Sequence, residues 1–202
     1  LIEALELDRP SLVLHDWGGA IGMGYAVRHP ANVDRIVVMN SAAFLSPRCP
    51  LRIRLCRLPL LGALAVRGLN GFARAALSQA LVRPDALSEE EKAGYLAPYD
   101  SYANRIATLR FVQDIPLSRS HPTWNVLAGI QKKLCRLSDH DLMLCWGDRD
   151  FCFTIEFLEK WLEYFPEAAV REYPEAGHYV LEDAGDEVIP DIVEFLQGGA
   201  DG

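Results

Sequence analysis

A short apolar run, Ser11-Leu12-Val13-Leu14, ends on His15-Asp16 and is followed at once by glycines at 18, 19, 22 and 24. An apolar run without alternation reads as a strand buried on both faces, the kind found in parallel sheets. The glycines open a helix that runs to about His29 and is closed by Pro30. Small residues let such a helix lie close to the sheet. Asp34–Asn40 (DRIVVMN) reads as a second strand, so residues 11–40 form one βαβ unit. That unit commits the chain to a layered α/β architecture. Ahead of it, Leu1–Leu7 carries the apolar spacing of an amphipathic helix, broken at Asp8-Arg9-Pro10.

The rhythm stops after Ser46. Residues 46–84 are rich in Arg, Leu and Ala, and residues 85–135 are helical in pattern with Pro and Tyr interruptions. The βα alternation then returns: Asp141–Trp146 as a strand, Thr154–Phe165 as a helix, Ala169–Tyr173 as a strand and Glu187–Leu196 as a final helix. The expected organisation is an α/β core over 1–45, a helical cap over 46–138, the rest of the core over 139–197 and a flexible tail over 198–202.

With 202 residues, half of them apolar, the chain can bury a sizeable core. A formal charge of −8 argues against nucleic acid as a partner. The five cysteines are an odd number without Cys-x-x-Cys spacing, which favours free thiols in a reducing cytoplasm over a disulfide framework. No stretch offers the ~18 uninterrupted apolar residues of a membrane span. The chain begins at Leu1, inside a helical pattern, so an upstream segment is expected to precede it.

Three sites follow strands directly, where catalytic groups gather in open α/β sheets. The first is Leu14-His15-Asp16-Trp17-Gly18-Gly19. The strand–turn–helix of α/β-hydrolases carries its nucleophile as G-x-S-x-G; here Asp16 holds the serine position, Gly18 the last glycine and Leu14 replaces the first. The helix N-terminus favours a carboxylate there. The competing reading makes Asp16 a helix N-cap. The second site is Trp146-Gly147-Asp148-Arg149-Asp150, in which the Gly-x-x-Asp spacing of this fold favours Asp150 over Asp148 as the acid. The third is Ala176-Gly177-His178-Tyr179. Nucleophile, acid, histidine is the hydrolase chain order. His15 flanks the nucleophile and is a pocket candidate without a proton-transfer role, as are Phe44, Phe153 and Tyr179. His29, His121 and His140 read as helix-end or loop residues. No metal or cofactor is called for.

The HDWGG turn, with aspartate in place of serine, resembles the haloalkane dehalogenase and epoxide hydrolase branch of the α/β-hydrolases. NSAAFLSP (40–47), VRGLNGFARAA (66–76), APYDSYANRIATLRFVQDIPLS (97–118), WGDRDFCF (146–153) and GHYVLEDA (177–184) look like the cis-olefin-forming β-lactone decarboxylases of bacterial long-chain olefin biosynthesis. The resemblance implies Asp16 as nucleophile, Asp150 as acid, His178 as base and the Trp17 backbone N–H as an anion-hole donor. Its substrate would be a long-chain β-lactone. Haloalkanes and epoxides are the alternatives, with Tyr95, Tyr99 and Tyr102 as epoxide donors, and an inactive binding module is the non-enzyme one. Some dehalogenases place the acid after the second strand, where this chain offers Asn40. The family's first strands and second anion-hole donor would precede Leu1.

The segment between strands also has a charge reversal. No acid occurs between Asp34 and Asp85, yet Arg48, Arg52, Arg54, Arg57, Arg67, Arg74 and Arg83 do. A solvated helix face is one reading. The other is a basic, apolar cap that meets an anionic membrane surface or an acidic olefin-pathway partner enzyme, in a cytoplasmic protein peripheral to the membrane.

Overall fold

The computed structural model describes residues 1–83, 85 and 87–198. Four strands, β1 (Leu12–Asp16), β2 (Ile36–Ser41), β3 (Leu142–Gly147) and β4 (Ala169–Tyr173), form one parallel sheet in the order β1-β2-β3-β4. The register pairs Val13 with Val37, Val37 with Met143 and Met143 with Ala169, so all four carboxyl ends finish along one edge. β2 and β3 are buried at every position. Their alternate side chains enter two different cores, because successive residues of a strand point to opposite faces. Ile36, Val38, Leu142, Leu144 and Trp146 meet α1 (Trp17–Ala26) and the later helix Ile155–Tyr164 on one face. Val37, Met39, Met143 and Cys145 meet the last helix, Val180–Gln197, on the other.

Between β2 and β3 the chain makes a helical cap of α2 (Leu51–Cys56), α3 (Pro59–Gly62), a π turn (Ala63–Gly68), α4 (Gly71–Gln79), α5 (Glu89–Leu96), α6 (Ile106–Gln113) and α7 (Trp124–Lys133). After β3 come α8 (Ile155–Tyr164) and, after β4, α9 (Val180–Gln197). The fully buried Trp146 and Trp161 lock α8 to the sheet. Each satisfies its indole N–H, Trp146 on the Phe153 carbonyl and Trp161 on the Ser41 carbonyl, both at 2.9 Å. Truncating either to Ala would cost about 3–5 kcal/mol.

Three expectations are corrected. Leu1–Leu7 forms only a 3-10 turn, Glu3–Leu5, and none of its residues is buried. A seven-residue apolar pattern does not hold a helix without a surface to pack on, and Glu6 and Arg9 leave the helical region at φ 52° and 43°. The last helix begins at Val180 rather than Glu187, kinks at Ala184 and continues through Pro190. β1 and β2 extend past the predicted ends to Asp16 and Ser41, because the parallel pairing continues to the turn. Of the tail predicted over 198–202, Gly198 closes α9 in a left-handed conformation (φ 99°); residues 199–202 lie outside the described residues.

Candidate active site

Asp16 sits where β1 becomes α1, with φ 48° and ψ −125°. A non-glycine residue in that region is strained and is held only by its surroundings. Two contacts hold it. The Ser41 hydroxyl donates to the Asp16 carbonyl, and α1 lies against the sheet through glycines. A Cβ on Gly19 would fall 1.8 Å from Ser41 Oγ, and one on Gly22 would fall 2.3 Å from Leu14 Cδ2. Gly19 and Gly22 are therefore the condition for the close packing of the turn. The Asp16 side chain makes no capping hydrogen bond, contrary to the helix-cap reading. It stands free and about 45% exposed at the strand-end edge. The N–H of Trp17, first in the helix, has no acceptor within the helix.

Asp150 and His178 arrive from the loops after β3 and β4. His178 Nδ1 lies 2.8 Å from Asp150 Oδ2, and Nε2 lies 3.9 Å from Asp16 Oδ2. The Asp150 side chain is wholly buried, and its other oxygen accepts the Cys152 N–H at 2.6 Å. Burial alone would lower the pKa of His178. The hydrogen bonds and charges of Asp150 and Asp16 outweigh it and push His178 up to about 10. The surroundings thus favour the charged form of His178, which lies between Asp150 and Asp16. Asp148 makes no hydrogen bond or ion pair with His178; one of its oxygens is buried and unpartnered, and burial followed by Glu172 raises its pKa. Asn40, at the end of β2, is buried and bonds both the N–H and the carbonyl of Gly147, at 2.8 and 3.0 Å. The alternative acid position is thereby used as a strap between strand ends.

The remaining candidates divide. Phe153 stacks on His178 at 5.7 Å and lines the cavity. Phe44 also lines it, but is chiefly a core residue packed on Phe157, Trp161 and Tyr164. Tyr179 stacks on Tyr95. His15 is not beside the cavity of Phe153; its Nε2–H donates to the His178 carbonyl at 2.8 Å, tying β1 to the histidine loop. Burial, then the nearby His178, lowers its pKa and keeps it neutral.

Sequence reasoning missed Asp183. This buried carboxylate accepts the N–H groups of Gly177 (2.8 Å), Val82 (2.9 Å) and Arg83 (3.2 Å), joining the histidine loop to the cap. Its cap partners lie about a hundred residues away along the chain, so no local pattern announces it. Cys152 was missed too; burial, with Asp150 and Asp16 adding, raises its thiol pKa and leaves no competing thiolate.

Two cavities meet at Asp16. One, of about 470 Å³, runs under the cap between Asp16, Ile53, Phe72, Leu127 and Phe153. The other, of about 900 Å³, opens past His15, Tyr95 and Phe111. Asp16, Trp17, Phe72 and Tyr179 border both. Among the described residues no group of three or more His, Cys, Asp or Glu is placed to hold a metal ion.

A family model for the alpha/beta hydrolase family matches residues 1–191. The chain belongs to that family. This alpha/beta hydrolase is 44% identical over 200 residues to a cis-3-alkyl-4-alkyloxetan-2-one decarboxylase of Shewanella oneidensis, covering 97% of the chain and 63% of the relative. It is 38% identical over 201 residues to a protein of the same name from Xanthomonas campestris pv. campestris, covering 98% of the chain and 66% of the relative. The chain thus spans less than two thirds of the first relative's length. In structure it matches a haloalkane dehalogenase of Bradyrhizobium elkani at a TM-score of 0.85 and 24% identity, covering 98% of the chain and 70% of that protein. This last likeness establishes the fold.

Proposed function

We propose that the whole protein is a decarboxylase of long-chain cis-β-lactones, releasing a cis-alkene and carbon dioxide. The observation that carries the reading is Asp16, 3.9 Å from a His178 whose charged form its surroundings favour, opening onto an apolar cavity. The similarity to the two oxetanone decarboxylases supports this substrate class.

In this reading an Asp16 oxygen attacks the ring carbon that bears the ring oxygen. The carbon–oxygen bond breaks and its electron pair leaves with the new carboxylate. The bond to that carboxylate then supplies the electron pair of the alkene. Carbon dioxide departs, and the bond to Asp16 breaks to restore the aspartate. Inversion in the first step and anti departure in the second together preserve the cis relation. No water is consumed and no net proton moves. A cationic His178 suits this sequence, because it stabilises both carboxylates without having to accept a proton. Asp150 holds its orientation and charge, and the Trp17 N–H assists the anion. The apolar walls exclude water.

A second reading is hydrolytic dehalogenation, favoured by Trp17, whose side chain borders both cavities beside Asp16. There His178 must become a base, which the loss of the Asp16 charge on esterification would promote. Epoxide opening has less support: the Tyr95 hydroxyl is bonded to Glu182 and Tyr102 lies against Arg67, which leaves Tyr99, at the border of the larger cavity, as the remaining donor. Five free cysteines support a cytoplasmic setting. Among the described residues no helix is long and apolar enough to cross a membrane. The basic cap, 46–138, is read as the side that meets a membrane surface or an acidic partner enzyme.

The test offers the whole gene product a long-chain cis-β-lactone, a 1-haloalkane and an epoxide. Alkene from the lactone without halide release from the haloalkane is expected. Halide release with the lactone untouched would overturn the reading.

A further inference from the structure

The segment from Leu51 to Gly68 is built inside out on one side. Leu51, Leu55 and Leu58 recur at the spacing that places them on one helical face. That face points to solvent, with Leu51 73% exposed. The following turns add Leu60 (88% exposed), Leu61 and Leu64 (59% exposed). The two helices are held tightly together, since a Cβ on Gly62 would fall 2.0 Å from the Cys56 carbonyl oxygen. Their leucines therefore form one exposed apolar ridge, where a water-facing helix would carry polar residues.

Charge indicates what covers the ridge. Arg52 and Arg54, both exposed, flank it, and among the described residues neither forms an ion pair with a carboxylate. Arg54 bonds the Pro47 carbonyl, and Arg52 bonds Gln79 and lies over Phe151 at 3.7 Å. In a chain of net charge −8 this is uncompensated positive charge at the rim of an apolar ridge. Leucines inward of arginines are the pattern of a helix that lies in a lipid interface, burying its apolar face while the guanidinium groups reach anionic headgroups.

The inner side of the same segment walls the catalytic cavity. Ile53, Cys56 and Ala65 face it, as do Arg48, Cys49 and Arg52 near its outer end. A single layer of helix thus separates the ridge from the space that leads to Asp16.

We propose that the outer face of α2, α3 and the π turn docks on an anionic lipid bilayer, so that an apolar substrate passes between membrane and cavity without crossing water. The purpose rests on the proposed action on a lipid-derived lactone; the docking itself does not.

The experiment is vesicle flotation of the whole gene product, with phosphatidylcholine vesicles containing about one third phosphatidylglycerol against phosphatidylcholine alone. Binding to the anionic vesicles, weakened by salt, is expected. Arg54→Glu should weaken it about 10-fold or more, and Leu60→Asp/Leu64→Asp about 100-fold or more. None of these three residues lines the cavity, so turnover of a detergent-dispersed lactone should stay at the wild-type rate. Circular dichroism melts check that each variant folds, and Arg54→Glu carries the test if the leucine variant does not. Absence of wild-type binding, equal binding to neutral vesicles, or binding unchanged in the variants would overturn the proposal. So would a leucine-dependent dimer, or capture of an acidic protein, without vesicle binding. Flotation reads no catalysis, so its failure is separate from failure of the decarboxylase reading.

Discussion

Replacing Asp150 by Asn removes the charge that holds His178 while keeping volume and the acceptor for the Cys152 N–H. The rise of His178 from 6.5 to about 10 corresponds to roughly 5 kcal/mol of added stability for its charged form. Two carboxylates supply it, and they are unequal. Asp150 is nearer, at 2.8 Å against 3.9 Å, and its side chain is wholly buried where that of Asp16 is 45% exposed. Solvent screens the Asp16 contribution, so most of the effect belongs to Asp150. In Asp150→Asn the His178 pKa should therefore fall to about 8 or below, and the ring loses the partner that fixes its tautomer. A loss of about 10³–10⁴-fold in kcat is expected by analogy with other histidines deprived of their carboxylate. Proton NMR titration of the imidazole reads the first quantity and gas chromatography of the alkene the second. Asp148→Asn is the control, since Asp148 does not contact His178, and should leave turnover within about twofold. A His178 pKa still near 10 in Asp150→Asn, with kcat within tenfold of wild type, would refute the reasoning.

Other outcomes follow from the same geometry. Gly19→Ala should destabilise the protein by about 1–3 kcal/mol or more through its clash with Ser41, whereas Gly18→Ala, with nothing within 4 Å of the new methyl group, should be neutral or gain up to about 1 kcal/mol; urea unfolding compares them. Asp183→Ala leaves three backbone N–H groups without their acceptor and should cost about 3–5 kcal/mol, with kcat falling as the His178 loop loosens. Because the folded His178 pKa lies above its unfolded value, its stabilising contribution is complete below about 6.5 and is lost as pH rises through about 10. Lactone turnover should decline over the upper part of that window if the cation is required, and should rise there if a neutral base is required; a pH profile of kcat separates the two.

Much of the core was legible because parallel strands buried on both faces leave unbroken apolar runs, as in IVVM and LMLCW, and because catalytic side chains follow such runs directly. Asp150 could be named for that reason, whereas Asp16 and His178 follow the partly exposed β1 and β4 and were legible from the glycine-rich turn and the chain order; the structure brings the three within hydrogen-bonding or ion-pair distance. The features that escaped have partners distant in sequence. Asp183 acts on residues 82 and 83, and His15 on a carbonyl 163 residues away. Neither leaves a periodic trace. The leucines of α2 and α3 read simply as part of an apolar, basic cap in one dimension, because composition does not say which face turns outward; only the packing of Ile53 and Val66 inward does. Leu1–Leu7 shows the opposite failure, an amphipathic pattern of which the structure leaves no residue buried.

The central claim is that Asp16 is the nucleophile that opens a β-lactone. Its most direct test is alkene formation by the whole gene product carrying Asp16→Asn, with an unchanged melting profile showing that the turn is intact. The account predicts alkene production reduced by about 10⁴-fold or more. Alkene released by Asp16→Asn at the wild-type rate would contradict it.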